Sequence, residues 1–145
     1  MHYSCSVMIV DDDCDMIQVY GLYFTRLGID SICFSNPQIA LDHFQQYHDR
    51  YCVVLLDWNL PNINGFELAK RMRKYDSDVK IVLLTGRQID DLLKNEILIE
   101  SKVSDILIKP ICIDVLGSRL LELCSQTDSH KKSSNNFEID SSRKT

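Results

Sequence analysis

No two cysteines in this sequence stand at the C-x-x-C spacing, although there are six of them, at positions 5, 14, 33, 52, 112 and 124. Without that spacing, and with His43 and His48 on a helix-like stretch that itself holds no cysteine, a zinc framework has no ligand set. Cys5, Cys33 and Cys52 fall in strand-like runs, where a free thiol behaves as a small hydrophobe, so the sequence reads as holding reduced cysteines. No apolar run approaches the roughly 20 residues that cross a bilayer, and the first residues lack a basic start followed by an apolar stretch. That excludes a spanning helix or secretory signal and points to a cytoplasmic protein. A basic stripe is also missing. Residues 1–124 carry a net charge of −6 and residues 125–145 carry +1, which argues against direct binding of nucleic acid phosphates.

What is present is an alternation of strand-like and helix-like segments. Expected strands are Cys5–Val10, Ile29–Phe34, Tyr51–Leu56, Val79–Leu84 and Ser104–Ile108. Between and after them, helical spacing of apolar residues predicts Met16–Leu27, a helix opened by Asn36-Pro37, Gly65–Tyr75, Ile89–Ile99 and Ile113–Cys124. The inward faces are expected to include Met16, Val19, Tyr20, Tyr23, Phe24 and Leu27, then Ile39, Ala40 and Phe44, then Phe66, Leu68, Ala69 and Met72, and finally Val115, Leu116, Leu120 and Leu123. Gly28 is a plausible helix stop. Near-continuous apolar strands belong to a parallel sheet covered on both faces, so five βα repeats predict a doubly wound α/β sandwich. From Ser125 the apolar pattern ends, and 125–145 reads as a flexible polar tail or linker after a domain over 1–124.

Four strands end in polar groups: V-M-I-V in Asp11-Asp12-Asp13, V-V-L-L in Asp57, I-V-L-L in Thr85-Gly86, and D-I-L-I in Lys109-Pro110. In a parallel sheet all four emerge on one edge, where such folds bind ligands. Clustered carboxylates repel unless a cation sits among them, and hard oxygen donors without thiolate or imidazole favour Mg²⁺. A carboxylate nucleophile, a divalent cation, a hydroxyl and a lysine suit phosphoryl transfer, with an aspartyl-phosphate as product. Taken singly, the acidic run could be a solvated turn or a helix N-cap, Thr85-Gly86 a turn and Lys109 a surface lysine.

V-M-I-V-D-D-D, L-L-D-W-N-L-P-N-I-N-G, L-L-T-G and I-L-I-K-P together resemble the receiver domain of bacterial two-component response regulators, over residues 5 to about 124. The D-W-N-L-P stretch is similar to the chemotaxis-type single-domain member. The resemblance implies a flavodoxin-like (βα)5 sandwich with strand order 2-1-3-4-5. It implies Asp57 as phosphoacceptor, with Mg²⁺ held by Asp12, by Asp11 in an assisting role, by Asp57 and by the backbone carbonyl of Asn59. Thr85 and Lys109 would contact the phosphoryl group, Pro110 would follow a cis peptide, and Gly65 would close the acceptor loop by adopting backbone dihedrals that other residues resist.

The chain departs from the family at Ile106, where an aromatic residue is usual, at Lys102-Val103, where Gly-Ala is common, and in a Thr85-to-Lys109 spacing somewhat longer than expected. These changes lie toward the signalling face. The implied partners are a sensor histidine kinase or histidine phosphotransfer protein, and a downstream protein or an output domain. The resemblance also allows a homodimer through the 86–124 face. A haloacid-dehalogenase-like phosphatase using Asp11 is the competing reading, since Asp11-x-Asp13 imitates its nucleophile motif. It leaves Asp57 without a role and finds Asp15 where Thr or Val is expected. A degenerate receiver that only binds partners is a third reading, and the intact Asp, Thr and Lys set argues against it.

Overall fold

Every residue of the strand Tyr51–Asp57 (β3) is buried, as expected for the centre of a sheet covered on both faces. In the computed structural model, which describes residues 6–126, β3 is flanked by Ser6–Val10 (β1) and Lys80–Thr85 (β4). Ser31–Phe34 (β2) and Asp105–Ile108 (β5) form the edges, giving a parallel sheet of order β2-β1-β3-β4-β5. The helices are α1 (Cys14–Arg26), α2 (Pro37–Tyr47), α3 (Gly65–Arg73), α4 (Asp91–Ser101) and α5 (113–126), with a short 3₁₀ turn at His48–Arg50. The expected doubly wound sandwich and strand order are those observed.

Successive strand residues point to opposite faces, and the sequence uses this period to build two cores. Val7, Ile9, Val53, Leu55, Val82 and Leu84 pack with Tyr20 and Phe24 of α1 and with Leu116 and Leu120 of α5. Met8, Val10, Val54, Leu56, Ile81 and Leu83 pack with Phe44 of α2, Leu68 and Met72 of α3, and Ile97 of α4. Both cores are continuous with the strands that carry the polar ends, so the edge cluster rests on rigid backbone.

Local signals explain the helix ends. Asn36 accepts hydrogen bonds from the amides of Gln38 and Ile39 ahead of Pro37, as the N-cap reading predicts. Gly28 follows α1 at φ 81°, a left-handed conformation that glycine adopts without strain.

Several expectations need correction. The second strand starts at Ser31, because the amide of Ile29 still bonds back to the carbonyl of Phe24 at the helix end. Val19, Ile39 and Val115 are 48%, 57% and 58% exposed, since each lies at the margin of its helix's apolar stripe. α5 continues through Ser125 and Gln126, two residues past the expected boundary, and the rest of the polar tail lies outside the described residues, as does Cys5. Cys52 is disulfide-bonded, against the expectation of reduced thiols, because pairing between sequence-distant cysteines leaves no spacing signal. Cys14, Cys33 and Cys112 are free. Among the described residues, no helix is long and apolar enough to cross a membrane.

Candidate functional site

The register places Val10 of β1 beside Leu56 of β3, so Asp11 and Asp57 leave the sheet side by side. This is the point where the chain order reverses between β1 and β3, and where an open α/β sheet leaves a crevice. One carboxylate oxygen from each of Asp11, Asp12 and Asp57 lies within 4.8 Å of the others. Asp11 and Asp57 are buried at 2% and 6% exposure, while Asp12 is exposed. Asp13 turns away from this trio, and its carboxylate accepts from the amides of Asp15 and Met16 as the N-cap of α1. The capping reading therefore holds for Asp13 alone.

Lys109 reaches the trio from the end of β5. Its Nζ donates to Asp57 Oδ1 at 2.8 Å and stands 3.8 Å from Asp11 Oδ2. Burial alone would lower the lysine's pKa, but the hydrogen bond and charge of Asp57, together with Asp11, outweigh it and hold the ammonium above its ordinary value. Burial, reinforced by the charges of Asp57 and Asp12, raises the pKa of Asp11, against the opposing hydrogen bond from the Asp13 amide and the attraction of Lys109. Asp11 Oδ2 is fully enclosed and accepts no hydrogen bond. A buried carboxylate oxygen without a donor is costly, and one lysine is shared between Asp57 and Asp11. Such an all-oxygen, electron-rich pocket fits a hard divalent cation.

Thr85, 1% exposed at the end of β4, completes the edge. Its hydroxyl makes long contacts, 3.3 Å each, with the backbone N–H and carbonyl of Arg87. The Lys109 amide bonds to the Thr85 carbonyl at 2.7 Å, which ties β5 to β4 at the site, and the Lys109-Pro110 peptide is cis as expected. Asn59 is exposed in the loop that follows β3.

Gly65 is required for a different reason from the expected one. It is not in a left-handed conformation, but a Cβ there would lie 2.5 Å from the carbonyl oxygen of Asp57 and 3.1 Å from a Leu83 methyl. Its amide donates to the Trp58 carbonyl, closing the loop. The left-handed residue of that loop is Asn62, at φ 69°. Ile106 is half-buried on β5 and packs against the α2–α4 core.

Three contributors escaped sequence reasoning. Trp58, the chain's one tryptophan, stacks on Phe66 at 6.1 Å beside Asp57. Tyr20 is buried close enough to the acids and Lys109 to feel their charges, with burial itself the main cause of its raised pKa. A cavity of about 260 Å³ opens beside Thr85, lined by Trp58, Arg87, Ile89 and Leu93 among others. In sequence Tyr20 reads only as an inward position of the first helix and Trp58 only as part of the D-W-N-L-P stretch, and a void leaves no residue pattern at all.

A doubly wound domain with a cation-ready acidic pocket and a lysine at its switch point defines the class. The sequence pattern described as response regulator receiver domain matches residues 7–121, and the chain belongs to that family. It is similar to a chemotaxis protein CheY homolog of Campylobacter jejuni, 28% identical over 119 residues, covering 79% of this chain and 88% of that one. It is also similar to a transcriptional regulatory protein CpxR homolog of Haemophilus influenzae, 30% identical over 92% of this chain and 56% of the relative. The solved receiver domain of Francisella response regulator 1452 superposes with a TM-score of 0.75 at 28% identity, covering 85% of this chain and 98% of that structure. The chain spans about half the length of the CpxR relative and of the ycf27 regulator of Porphyridium aerugineum. Nothing found favours the phosphatase reading.

Proposed function

We propose that this receiver accepts a phosphoryl group on Asp57, with Mg²⁺ held by Asp11, Asp12, Asp57 and the backbone carbonyl of Asn59. The observation that carries the reading is the enclosed, donorless Oδ2 of Asp11 in a trio of acids at the sheet's switch point. An Asp57 oxygen attacks the phosphorus of a phosphohistidine, forming a P–O bond as the P–N bond breaks and the imidazole leaves with its electron pair. The cation would supply positive charge to the phosphoryl oxygens. Lys109, already poised at Asp57, pairs with the added negative charge, and the Thr85 hydroxyl donates to it.

The donor is a sensor histidine kinase or a histidine phosphotransfer protein. The domain acts as a switch and not as an enzyme on other substrates, in the cytoplasm, with the residues after α5 as a tail or linker. Output passes through the 86–103 segment to a downstream protein or output domain, or through pairing of two copies along the 86–124 face. Ile106 is β-branched and carries no ring to swing inward, so repositioning of 86–103 has to provide the change.

Incubation with acetyl phosphate and Mg²⁺ should label Asp57 and nothing else. Label that survives Asp57→Ala or added chelator would overturn the assignment, and label on Asp11 or Asp13 would favour the phosphatase mechanism.

A further inference from the structure

The two ends of α4 are held very differently. At its C-terminal end, Arg73 of α3 donates from Nε to the Ser101 carbonyl at 2.8 Å and from Nη2 to the Lys102 carbonyl at 2.9 Å. Its third arm, Nη1, reaches the Asp76 carbonyl at 3.2 Å, fixing the guanidinium to the α3–β4 turn. The last carbonyls of a helix have no partners within the helix, and α4 has no basic residue in its own last turn. Arg73 supplies both the missing donors and the missing charge from a neighbouring helix. The two residues of α4 that are fully buried, Ile97 and Ser101, lie in this half, and the Ser101 hydroxyl bonds to the Ile97 carbonyl at 2.6 Å. Lys102 then turns the chain in a left-handed conformation, φ 50°, without the glycine that usually makes this turn.

The N-terminal end is capped from within its own segment, where the Asp90 carboxylate accepts from the Leu93 amide at 2.8 Å. Asp91, Leu92, Lys94, Asn95 and Glu96 are exposed, and Leu92 is 83% exposed. Beneath this end lies the 260 Å³ cavity whose wall includes Thr85, Arg87, Ile89 and Leu93. Gly86, which links Thr85 to this loop, has no atom within 4 Å of where a Cβ would stand. Open space therefore lies beneath the end nearest the acceptor pocket, while the other end is the one tied to a neighbouring helix.

We propose that Arg73 is a positioning residue that pins the C-terminal end of α4, so that the response to Thr85 is a swing of residues 86–96 about a fixed point near Ser101. This rests on the phosphoacceptor reading above and narrows it. The moving part is the loop and first half of α4, while 97–104 and the start of β5 stay in register. The swing carries Leu92, an exposed apolar side chain, into or out of reach of a partner. Arginine is suited to the anchor because its planar fork reaches three carbonyls at once, which a lysine ammonium on a flexible stem does not reproduce.

Amide-resolved hydrogen exchange on the resting protein tests the anchor without any ligand. Residues 99–102 should exchange about tenfold or more slowly than residues 94–96, and Arg73→Lys should erase most of that gradient. Arg73→Met should erase it as well. If the lysine variant stays folded and keeps the gradient, the anchor is refuted. Beryllofluoride with Mg²⁺ tests the swing. Changes should be confined to 86–96 in the wild type and spread into 97–104 in Arg73→Lys. Changes of equal size in both halves of wild-type α4 would overturn the fixed point. Trp58 fluorescence monitors occupancy separately, so absence of binding would count against the acceptor reading while the resting gradient still decides the anchor.

Discussion

Gly65 lies so close to Asp57 that a single added methyl group would stand 2.5 Å from the Asp57 carbonyl oxygen. The obstacle is backbone in the best-buried strand, so it cannot move aside as a flexible side chain would. Gly65→Ala should therefore cost roughly 1–3 kcal/mol of stability, read as a lowered urea midpoint at unchanged slope. It should also weaken beryllofluoride binding, because the strain is delivered to the residue that carries the nucleophile. A variant as stable as the parent would mean the acceptor loop is looser than its packing indicates.

Mg²⁺ should stabilise the protein and change Trp58 fluorescence in a saturable way, since binding only the folded form shifts the unfolding equilibrium. Asp12→Ala should abolish most of the effect, and Asp57→Asn should weaken it. Chelator should reverse it. An equal response in Asp12→Ala would place the cation elsewhere.

Lys109 and a bound cation draw on the same carboxylates, with the ammonium 2.8 Å from Asp57 and 3.8 Å from Asp11. Removing its charge in Lys109→Met should tighten Mg²⁺ binding. A unit charge about 4 Å away is worth about 1 kcal/mol even in a water-like medium, so the Kd should fall by about fivefold or more. The same variant should lose response to beryllofluoride despite holding the metal better. Weaker Mg²⁺ binding would show that the lysine shapes the pocket more than it competes for it.

Stability should decline in mild acid through His43. Its Nε2 lies 2.6 Å from the hydroxyl of Tyr51, a phenol that burial pushes up to about 12. Burial, and then the charge of Arg50, hold the imidazole below its ordinary 6.5. The unfolded chain therefore takes up the proton first, so this contribution is complete above pH 6.5 and is lost as pH falls through the folded value. Urea midpoints measured from pH 7.5 down to 5 should fall, and His43→Gln should flatten the slope. An unchanged slope in the variant would assign the pH effect to other groups.

The fold was legible because one alternation serves two purposes. V-M-I-V and V-V-L-L are continuous apolar runs, which predict a doubly covered parallel strand, and each then breaks at a carboxylate placed at the sheet's carboxyl edge. Asp11, Asp57, Thr85 and Lys109 could be grouped from sequence because parallel strands deliver their ends to one edge. Geometry decided what sequence could not. Asp13 carries the same side chain as Asp11, but the helix amides beside it claim its carboxylate. Gly65 was recognised for the wrong reason, since close approach of two backbone segments leaves no local pattern. The tie from Arg73 to α4 links segments distant in sequence, and Arg73 reads in isolation as one more charge on an exposed helix face.

The order of strands across the sheet also differs from the order in which they are made. Asp11 and Asp57 become neighbours once β3 joins β1, while Lys109 follows only after β4, α4 and β5 have been added. A growing chain thus emerges with both acids before it has the lysine that offsets them. Until then the carboxylates stay in water, since a domain folds as a unit. The last strand completes the sheet and, in the same step, makes the acidic pair tolerable in the folded interior.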